Sequence, residues 1–339
     1  MTEPRNSINR RVVLRSRPVG VPRAFHFGLE EAPLAELREG EFLVANRFLS
    51  VEPAMRGWVN DVPNYSPPVP VGDVMRAFAA GEVVASRHSG WKIGDLVVGM
   101  LGWQRFAVSD GTNITRKIEE TDLPISTALG VLGLNGITAY FGLLDIGQPR
   151  DGETVVVSTA AGAVGSCVGQ IAKIKGCRTV GIAGGKDKVD QCRSEFGYDD
   201  AIDYKTADFD AALARACPDG ADVYFDNTSG AISDAVLRRL NIGARVAICG
   251  TAALQNWAPW PQGPRVERHL LVKRARMQGF LVFDFQARYG EAVTQLAQWL
   301  REGRITYREH VLEGLAAAPG AIDMLYRGGN TGKLLIRVD

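Results

Sequence analysis

The sequence predicts a two-domain α/β protein, in which a β-rich domain is followed by a domain built on a doubly wound parallel sheet. Two observations predict this fold. The chain has 339 residues, which exceeds the size that one hydrophobic core usually serves. Short β signals fill its first third, whereas strands and helices alternate from ETVVVS (153–158) onward. Such alternation is typical of right-handed βαβ units in a parallel sheet.

The first domain is predicted from runs of β-branched and aromatic residues: RRVVLRS, EFLVANRFLSV, AGEVVAS, GDLVVGM and RFAVS. Gly, Pro, Asn and Asp cluster between these runs, as in NDVPNYSPPVPVGD, and such clusters favour turns. We therefore expect a mostly antiparallel, barrel-like domain.

The second domain follows the segment STALGVLGLNGITAYFGLLDIG, whose apolar spacing predicts a helix that ends at Gly147. Its predicted strands are ETVVVS, RTVGIAG, DAIDY, ADVYFDN and ARVAICG. The predicted helices are AVGSCVGQIAKIKG, a polar helix from Lys186, DFDAALARA, a helix from Ala231 and EAVTQLAQWLREG. The helix-strand pair AAPGAIDMLYRGGNTGKLLIRV closes the chain.

The charged residues nearly cancel, because 39 Lys and Arg oppose 38 Asp and Glu. Proteins that bind nucleic acid or an anionic membrane usually carry a basic surface, so we expect a small-molecule ligand instead. The opening MTEPRNSINRR lacks the apolar core of a signal peptide, and no apolar run reaches the ~20 residues of a membrane-spanning helix. These observations predict a cytosolic protein.

The sequence offers no recognisable metal site. The four histidines are isolated, the first domain contains no cysteine, and the five cysteines form no CxxC pair. A zinc site needs several Cys, His, Asp or Glu side chains at ligand spacing, so we expect chemistry without zinc. The sequence also shows no Ser-His-Asp grouping and no GxSxG turn that would indicate a hydrolase.

The segment ETVVVSTAAGAVGSCVGQIAK predicts a nucleotide-binding turn between a strand and a helix. Ala160 stands where the dinucleotide fingerprint usually has its first glycine, and Gly162 and Gly165 take the next two positions. The second glycine lets the backbone approach a pyrophosphate, the third lets helix and strand pack closely, and the helix N-terminus offers free N–H groups.

The next strand, RTVGIAG, ends at Gly184, near the place where an NAD-binding enzyme usually carries an acidic residue for the ribose hydroxyls. Here Lys186 and Lys188 follow instead. Lysines at this place can pair with the ribose phosphate of NADP, so we expect NADPH as the cofactor. The alternative is that both lysines lie on the solvated face of a helix start, although cations are unfavourable there.

Motifs in a fixed order extend over nearly the whole chain: SVEPAMRGW, NYSPPVPVGDVM, NGITAYFGLLDIG, STAAGAVGSCVGQIAK, GIAGGKDKV, DYK, FDNTSG, RVAICG, RMQGFLV and GGNTGKLLIRV. In this order they resemble the medium-chain dehydrogenase/reductase superfamily, and within it the zinc-independent leukotriene/prostaglandin reductase group, near the NADPH-dependent curcumin reductases. The resemblance implies a GroES-like catalytic domain at 1–129 and 309–339 and an NADP-binding Rossmann domain at 130–308. Where zinc alcohol dehydrogenases carry a cysteine ligand and a GHE motif, this chain has SVEP and VGDV.

The resemblance also implies which residues contact NADPH. The phosphates would be bound by Gly162, Ala163, Val164 and Gly165. The ribose phosphate would be bound by Lys188 and Tyr204. The nicotinamide and its ribose would be bound by Thr138, Asn227, Cys249, Gly250, Phe280, Leu281, Val282 and Asn330. Two alternatives are that 280–282 is a buried strand in any case and that Asn330 is only a turn residue.

The reaction implied by the resemblance is hydride transfer to the β-carbon of an α,β-unsaturated ketone or aldehyde. The resemblance implies that the ribose hydroxyl of NADPH and a nearby tyrosine donate to the carbonyl oxygen, after which the α-carbon takes a proton. Tyr65 is the predicted catalytic tyrosine, and the predicted pocket residues are Arg56, Trp58, Trp103, Gln255 and Phe283. Family members usually have a tyrosine at the position of Gln255. A glutamine can hydrogen-bond an enone oxygen but cannot act as an acid, which leaves the substrate preference open.

Several of these residues have structural alternatives. Tyr65 could pack a loop beside two prolines, Arg56 could form a structural ion pair, and the aromatic rings could belong to the core. Two other functions also stay open: an NADPH quinone reductase and a non-catalytic NADPH-binding protein. Alcohol dehydrogenation needs a Lewis acid and is disfavoured.

The run RMQGFLVFDF predicts an exposed strand at a sheet edge. Such an edge favours pairing with a second chain. We therefore expect a homodimer joined through this strand; the alternative is a strand covered by its own chain.

Overall fold

The computed structural model describes residues 8–61, 64–254 and 261–338. The chain divides into two compact units, residues 1–129 with 309–339 and residues 130–308. They are called here the first unit and the second unit.

The strands of the described chain are, in order, β1 (Ile8–Leu14), β2 (Phe27–Pro33), β3 (Phe42–Ser50), β4 (Ala79–Ser86), β5 (Leu96–Gly99), β6 (Phe106–Ser109), β7 (Ile114–Lys117), β8 (Thr154–Ser158), β9 (Arg178–Ala183), β10 (Asp200–Asp203), β11 (Ala221–Asp226), β12 (Leu240–Ile248), β13 (Arg276–Gly279), β14 (Glu309–Glu313) and β15 (Lys333–Arg337).

The α-helices of the described chain are α1 (Met55–Trp58), α2 (Leu134–Phe141), α3 (Ala163–Ile174), α4 (Lys186–Ser194), α5 (Phe209–Ala216), α6 (Gly230–Leu237), α7 (Glu267–Lys273), α8 (Tyr289–Arg301) and α9 (Ala318–Tyr326). Gly142–Gly147 forms a π-helical turn, and short 3-10 helices lie at Ala24–His26, Ile125–Leu129, Val282–Arg288 and Leu315–Ala317. Among the described helices, none combines the length and the apolar character that crossing a membrane requires.

The first unit is built on a sheet with the strand order β14-β15-β3-β4-β5-β7, to which β6 adds by pairing with β3. The pairings are antiparallel except for that of β14 with β15, and β1 and β2 form a separate antiparallel ribbon. Phe42, Val44 and Val83 are completely buried, and Leu43 is buried as well, so β3 begins with side chains buried on both faces of the sheet. The predicted β-rich domain of mostly antiparallel strands is confirmed.

The second unit is a parallel sheet with the order β10-β9-β8-β11-β12-β13. Every residue of β8 is buried, because a central parallel strand is covered by helices on both faces and reads as one apolar run. From β8 the strands follow one another outward through β9 to β10, and from β11 they follow one another in the opposite direction through β12 to β13. Ligands of doubly wound sheets bind beyond the carboxyl ends of the strands where the strand order reverses in this way. The predicted Rossmann sheet is confirmed.

The segment expected to form one helix up to Gly147 is divided in three. A 3-10 turn ends at Leu129, α2 begins at Leu134, and the chain continues from α2 into the π-helical turn that ends at Gly147. Gly133 has extended backbone angles, φ −111° and ψ −161°, and this glycine is where the helical path is interrupted.

The strand predicted in RMQGFLVFDF is shorter than expected. β13 ends at Gly279, and a 3-10 helix starts at Val282. The Leu281 N–H donates to Asp284 Oδ2 at 3.1 Å, and the Asp284 N–H donates to Leu281 O at 3.0 Å. These local bonds replace a sheet ladder, so 280–282 is not a buried strand.

Candidate functional site

The turn between β8 and α3 leaves no room for side chains at two of its positions. A Cβ on Gly165 would lie 2.3 Å from Thr159 O, and a Cβ on Gly162 would lie 2.9 Å from Thr159 Cγ2. The Gly162 N–H donates to Thr159 O at 2.9 Å and closes the turn. Both positions therefore require glycine for the close approach of the turn to the helix.

Ala160 departs from the usual glycine, and the neighbouring strand accommodates it. Its methyl group is completely buried, and a Cβ on Gly181 of β9 would lie 2.8 Å from it. The Ala160 N–H also donates to Ile182 O at 3.0 Å. Gly181 thus provides the space that Ala160 occupies, and the turn keeps a shape that fits a dinucleotide.

The first turn of α3 supplies the groups that an anion would contact. Ala163 and Val164 are half-buried, and Gly162 at the N-cap provides no side-chain hydrogen bond to the helix. The leading N–H groups of a helix have no partners within it and bind phosphates well. The predicted phosphate-binding residues are thus brought together at one helix N-terminus.

Beyond the carboxyl end of β9 lie Tyr204 and two lysines, Lys188 and Lys205. Lys188 is half-buried, and its pKa is lowered because burial disfavours the charge and because Lys205 places a like charge nearby. Lys205 Nζ lies 6.0 Å from the centre of the Tyr204 ring, which is 42% exposed. A dianion would relieve the repulsion between the two lysines, so the group suits a ribose phosphate.

Two nearby residues complete this picture. Asp203 Oδ1 accepts hydrogen bonds from the N–H groups of Gly185 and Lys205, both at 2.9 Å, so this carboxylate is engaged with the backbone. Lys186, in contrast, forms an ion pair with Asp190 and its side chain is 83% exposed. Lys186 therefore lies on the solvated face of the helix start. The lysine near Lys188 is Lys205 and not Lys186.

Three residues predicted to face the nicotinamide meet at the carboxyl ends of β8, β11 and β12. Asn227 Nδ2 donates to Ser158 O at 2.7 Å, and a Cβ on Gly250 would lie 3.0 Å from Asn227 O. Cys249 lies beside them, and burial raises the pKa of its thiol to about 12. The thiol is therefore neutral at pH 7 and is not a nucleophile.

The segment after β13 provides one packed ring and several exposed groups. A Cβ on Gly142 would lie 2.3 Å from Phe280 Cζ, so the Phe280 ring rests against the end of α2. Thr138, half-buried in α2, accepts the Gly142 N–H through its carbonyl. Leu281 is 37% and Phe283 41% exposed, and Val282 is half-buried.

In the first unit, Arg56 and two tyrosines form a group that the sequence did not reveal as one. Arg56 is buried, and its guanidinium carbon lies 5.1 Å from the centre of the Tyr326 ring. The Tyr326 hydroxyl donates to Pro53 O at 2.9 Å. Burial raises the pKa of Tyr326, Arg56 opposes this, and the nearby Tyr65 adds to it. Tyr65 itself is 48% exposed.

The tryptophans predicted as pocket walls pack in the interior instead. Trp103 is completely buried, its Nε1 donates to Ser50 O at 3.2 Å, and its ring lies 5.7 Å from that of Phe27. Trp58 is 3% exposed, with the Arg76 guanidinium 5.8 Å from its ring centre. Core packing explains both rings, since neither leaves a face open to a ligand.

Two predicted site residues remain. Asn330 is buried in the loop before β15, where its Nδ2 donates to Gly332 O at 2.7 Å. Its side chain therefore stabilises this turn. Gln255 lies outside the described residues. Within 8–61, 64–254 and 261–338, no group of three or more His, Cys, Asp or Glu side chains is arranged to hold a metal ion.

The sequence did not single out three residues that lie near predicted site residues: Lys205 near Lys188, Tyr326 near Arg56, and Asp226, which Ser158 links to Asn227. Lys205 directly follows Tyr204 in DYK, so its place beside the strand end was available as a signal. Tyr326 is distant in sequence from Arg56 and Tyr65, and only the fold brings the three together.

A β-rich unit combined with a Rossmann unit that carries a glycine-rich turn defines a nucleotide-dependent oxidoreductase of the medium-chain class. Residues 10–117 match the family described as the N-terminal domain of oxidoreductase, and residues 163–299 match the family described as zinc-binding dehydrogenase. The chain belongs to the medium-chain dehydrogenase/reductase superfamily and, within it, to the zinc-independent reductase group near the curcumin reductases.

Individual relatives support this membership. The NADPH-dependent curcumin reductase of Escherichia coli is 44% identical over 97% of both chains. The NADP(+)-dependent 2-alkenal reductase of Nicotiana tabacum is 37% identical, also over 97% of both chains. The crystal structure of CurA in complex with NADPH from Vibrio vulnificus is 44% identical, superposes with a TM-score of 0.92, and covers 97% of this chain and 99% of that chain.

Proposed function

We propose that the protein uses NADPH to reduce the carbon-carbon double bond of α,β-unsaturated ketones and aldehydes. The observation that carries the proposal is that the second unit has both a glycine turn, at Gly162 and Gly165, and two neighbouring cations, Lys188 and Lys205. Relatives named for NADPH-dependent curcumin reduction and for 2-alkenal reduction support the same chemistry.

When bound, NADPH supplies the hydride that the substrate's β-carbon accepts. The chain's own residues hold the cofactor: the first turn of α3 would contact its pyrophosphate, and the Lys188 and Lys205 ammonium groups would neutralise its ribose phosphate. Hydride addition to the β-carbon places negative charge on the substrate's carbonyl oxygen, which needs a hydrogen-bond donor. A proton taken up at the α-carbon, ultimately from solvent, would complete the reduction.

Tyr65 is the proposed donor from the protein. A tyrosine hydroxyl can donate a hydrogen bond, and the Tyr65 side chain is half exposed. Tyr65 lies near Tyr326 and helps to raise the pKa of the Tyr326 hydroxyl. The Arg56 guanidinium in turn is stacked on the Tyr326 ring.

NADPH oxidation measured with a panel of enones and enals, a quinone in parallel and NADH as the control cofactor tests the proposal. We expect saturable turnover of enones with NADPH and little with NADH. Turnover of the quinone alone would replace the proposal by a quinone reductase. Tight NADPH binding without turnover of any acceptor would replace it by a binding protein.

Lysine variants test the cofactor preference. Lys188→Ala and Lys205→Ala should each raise the KM for NADPH about tenfold or more, since a hydrogen bond to a charged group contributes roughly 1.5–3 kcal/mol, and should leave the KM for NADH unchanged. Lys186→Ala is the matched control, because this lysine already pairs with Asp190. An equal effect of all three variants would contradict the assignment.

We also propose that the protein forms a homodimer through the edge of the second unit. β13 is the last strand in the sheet order and pairs only with β12 among the described strands. Helix α7, which precedes β13 in the chain and contacts β12, has no buried residue, with Leu271 78% and Val272 52% exposed. An unpaired edge next to exposed apolar side chains favours association with a second copy.

A further inference from the structure

A buried carboxylate lies directly beneath Asn227. Asp226, the last residue of β11, is 3% exposed. A carboxylate in the interior is costly unless hydrogen bonds compensate for the lost water. Neutral donors do so here: Tyr224 OH at 3.0 Å, Ser158 Oγ at 3.4 Å, Thr228 N at 2.9 Å, Thr228 Oγ1 at 3.3 Å and Ser229 N at 2.8 Å donate to Oδ1, and Ser233 Oγ donates to Oδ2.

This residue fixes the backbone on both sides of Asn227. Oδ1 accepts the N–H groups of Thr228 and Ser229, which turns the chain immediately after the strand. Ser229 has φ +57°, a left-handed conformation that a non-glycine residue adopts only when its surroundings hold it. The bond from its N–H to Asp226 is such a constraint.

Asp226 also reaches the neighbouring strands. Its carbonyl accepts the N–H groups of Cys249 at 2.8 Å and Gly250 at 3.1 Å, beyond the end of β12. Ser158, the last residue of β8, donates its hydroxyl to Asp226 and accepts the Asn227 N–H at 2.8 Å. The ends of three strands are therefore fixed to one residue.

The same contacts fix the orientation of the Asn227 amide. One N–H of its Nδ2 donates to Ser158 O at 2.7 Å. A side-chain amide has two N–H donors and one acceptor oxygen, so the second N–H and Oδ1 can bind a ligand. Asn227 is therefore suited to a ligand group that donates or accepts a hydrogen bond.

We propose that Asp226 is a positioning residue for the nicotinamide half of the cofactor. Through Ser158 it holds Asn227 so that the rest of the amide group can hydrogen-bond the nicotinamide riboside. The proposal rests on the proposed function for its choice of cofactor, whereas the binding measurements that test it do not need turnover.

The test compares two ligands. NADPH contains both halves of the cofactor, and 2′,5′-ADP contains only the half with the ribose phosphate. Ser158→Ala and Asp226→Asn should each raise the Kd for NADPH roughly 3- to 10-fold, the range expected for one hydrogen bond. Neither should change the Kd for 2′,5′-ADP. Isothermal titration calorimetry on the full chain provides both values.

Ser233→Ala is the matched control. It also removes one donor from Asp226, but from Oδ2, whereas the Ser158 hydroxyl that accepts the Asn227 N–H donates to Oδ1. We expect Ser158→Ala and Ser233→Ala to lower the Tm similarly and only Ser158→Ala to weaken NADPH binding. Equal weakening of NADPH by both variants, or parallel losses for NADPH and 2′,5′-ADP, would show a merely structural role and overturn the proposal.

The two proposals fail separately. A wild-type protein that binds NADPH but reduces no enone contradicts the proposed function, while the binding comparison still decides the role of Asp226. A wild-type protein that does not bind NADPH contradicts both. In an active enzyme, Ser158→Ala should also raise the KM for NADPH more than Ser233→Ala does.

Discussion

Lys333 is a buried cation that donates hydrogen bonds to the segment that leads into α1. Its Nζ donates to Glu52 Oε1 and Ser50 Oγ at 2.6 Å each and to Val51 O at 3.2 Å. The side chains of Lys333 and Glu52 are 5% and 13% exposed. In such a pair each charge compensates the desolvation of the other, so removing one leaves the other uncompensated.

Lys333→Met should therefore lower the free energy of unfolding by about 3–5 kcal/mol. The double variant Lys333→Met with Glu52→Gln should lose less than the sum of the single variants, because neither member of the Lys333–Glu52 ion pair then remains as an uncompensated charge. Urea denaturation of the four proteins measures this coupling. Arg38→Ala, which removes an exposed ion pair with Glu41, is expected to change the stability by less than about 1 kcal/mol. Strictly additive losses would contradict the coupling.

Glu309 gives a prediction with a defined pH dependence. Burial raises the pKa of its carboxyl group, although the Ser126 hydroxyl and Lys333 lower it in part, and Oε1 is buried without a hydrogen-bond partner in the described chain. Between the usual glutamate pKa and this raised value, the folded protein holds more protons than the unfolded one. Stability therefore falls as the pH rises through that window.

Glu309→Gln should remove this decline. The variant should have a higher Tm than the wild type above the window, and the difference should vanish at a pH below the usual glutamate pKa. Thermal unfolding between pH 4 and pH 8 measures it. A constant difference between the two proteins across that range would contradict the raised pKa.

At the scale of the element, the turn from β8 into α3 depends on backbone contact more than on side chains. Gly165→Ala would place its Cβ 2.3 Å from a backbone oxygen, and the turn must then shift. We expect the Kd for NADPH to rise at least tenfold. Gly290→Ala, on an exposed helical position where a Cβ meets nothing within 4 Å, should leave NADPH binding unchanged. Similar Kd values for both variants would contradict the fit of the turn.

The elements that the sequence predicted best are those with strong apolar patterns. β8 was predicted as a strand from the run ETVVVS, and the glycine turn after it was predicted from its spacing. β2 and β7 were missed because FGLEEAP and ITRK carry few buried residues, and each pairs with only one neighbour in the described sheets. Pairing partners, not local composition, make these segments strands.

The site shows the same division. Glycines and lysines near strand ends could be placed from the sequence, because the carboxyl edge of a parallel sheet is a known location. The particular neighbours of Trp103 could not, since core packing was the favoured alternative for the aromatic residues but local sequence does not tell which residues such a ring contacts. The contact of Arg56 with Tyr326 depends on the last helix packing in the first unit, which local patterns do not encode.

At the scale of the whole molecule, the proposed dimer can be tested by mass. Wild-type protein should elute with light scattering at twice the 36.7 kDa of the chain. Leu271→Asp should produce the monomer, because it places a charge among the exposed apolar groups of α7. Val19→Asp is the control, since Val19 is 98% exposed but lies in the first unit. A wild-type monomer, or dissociation by both variants, would contradict the proposed interface.

The sheet of the first unit contains β15 between β14 and β3, which has a consequence for synthesis on the ribosome. The second unit is one continuous segment and can fold as soon as it has emerged, whereas the first unit waits for the last strand to pair Ile336 with Leu49. Domains usually fold in the order of translation, and here the order is reversed. A nascent chain stalled before residue 309 would therefore carry a complete nucleotide-binding segment beside an open sheet, with Glu52 still lacking Lys333.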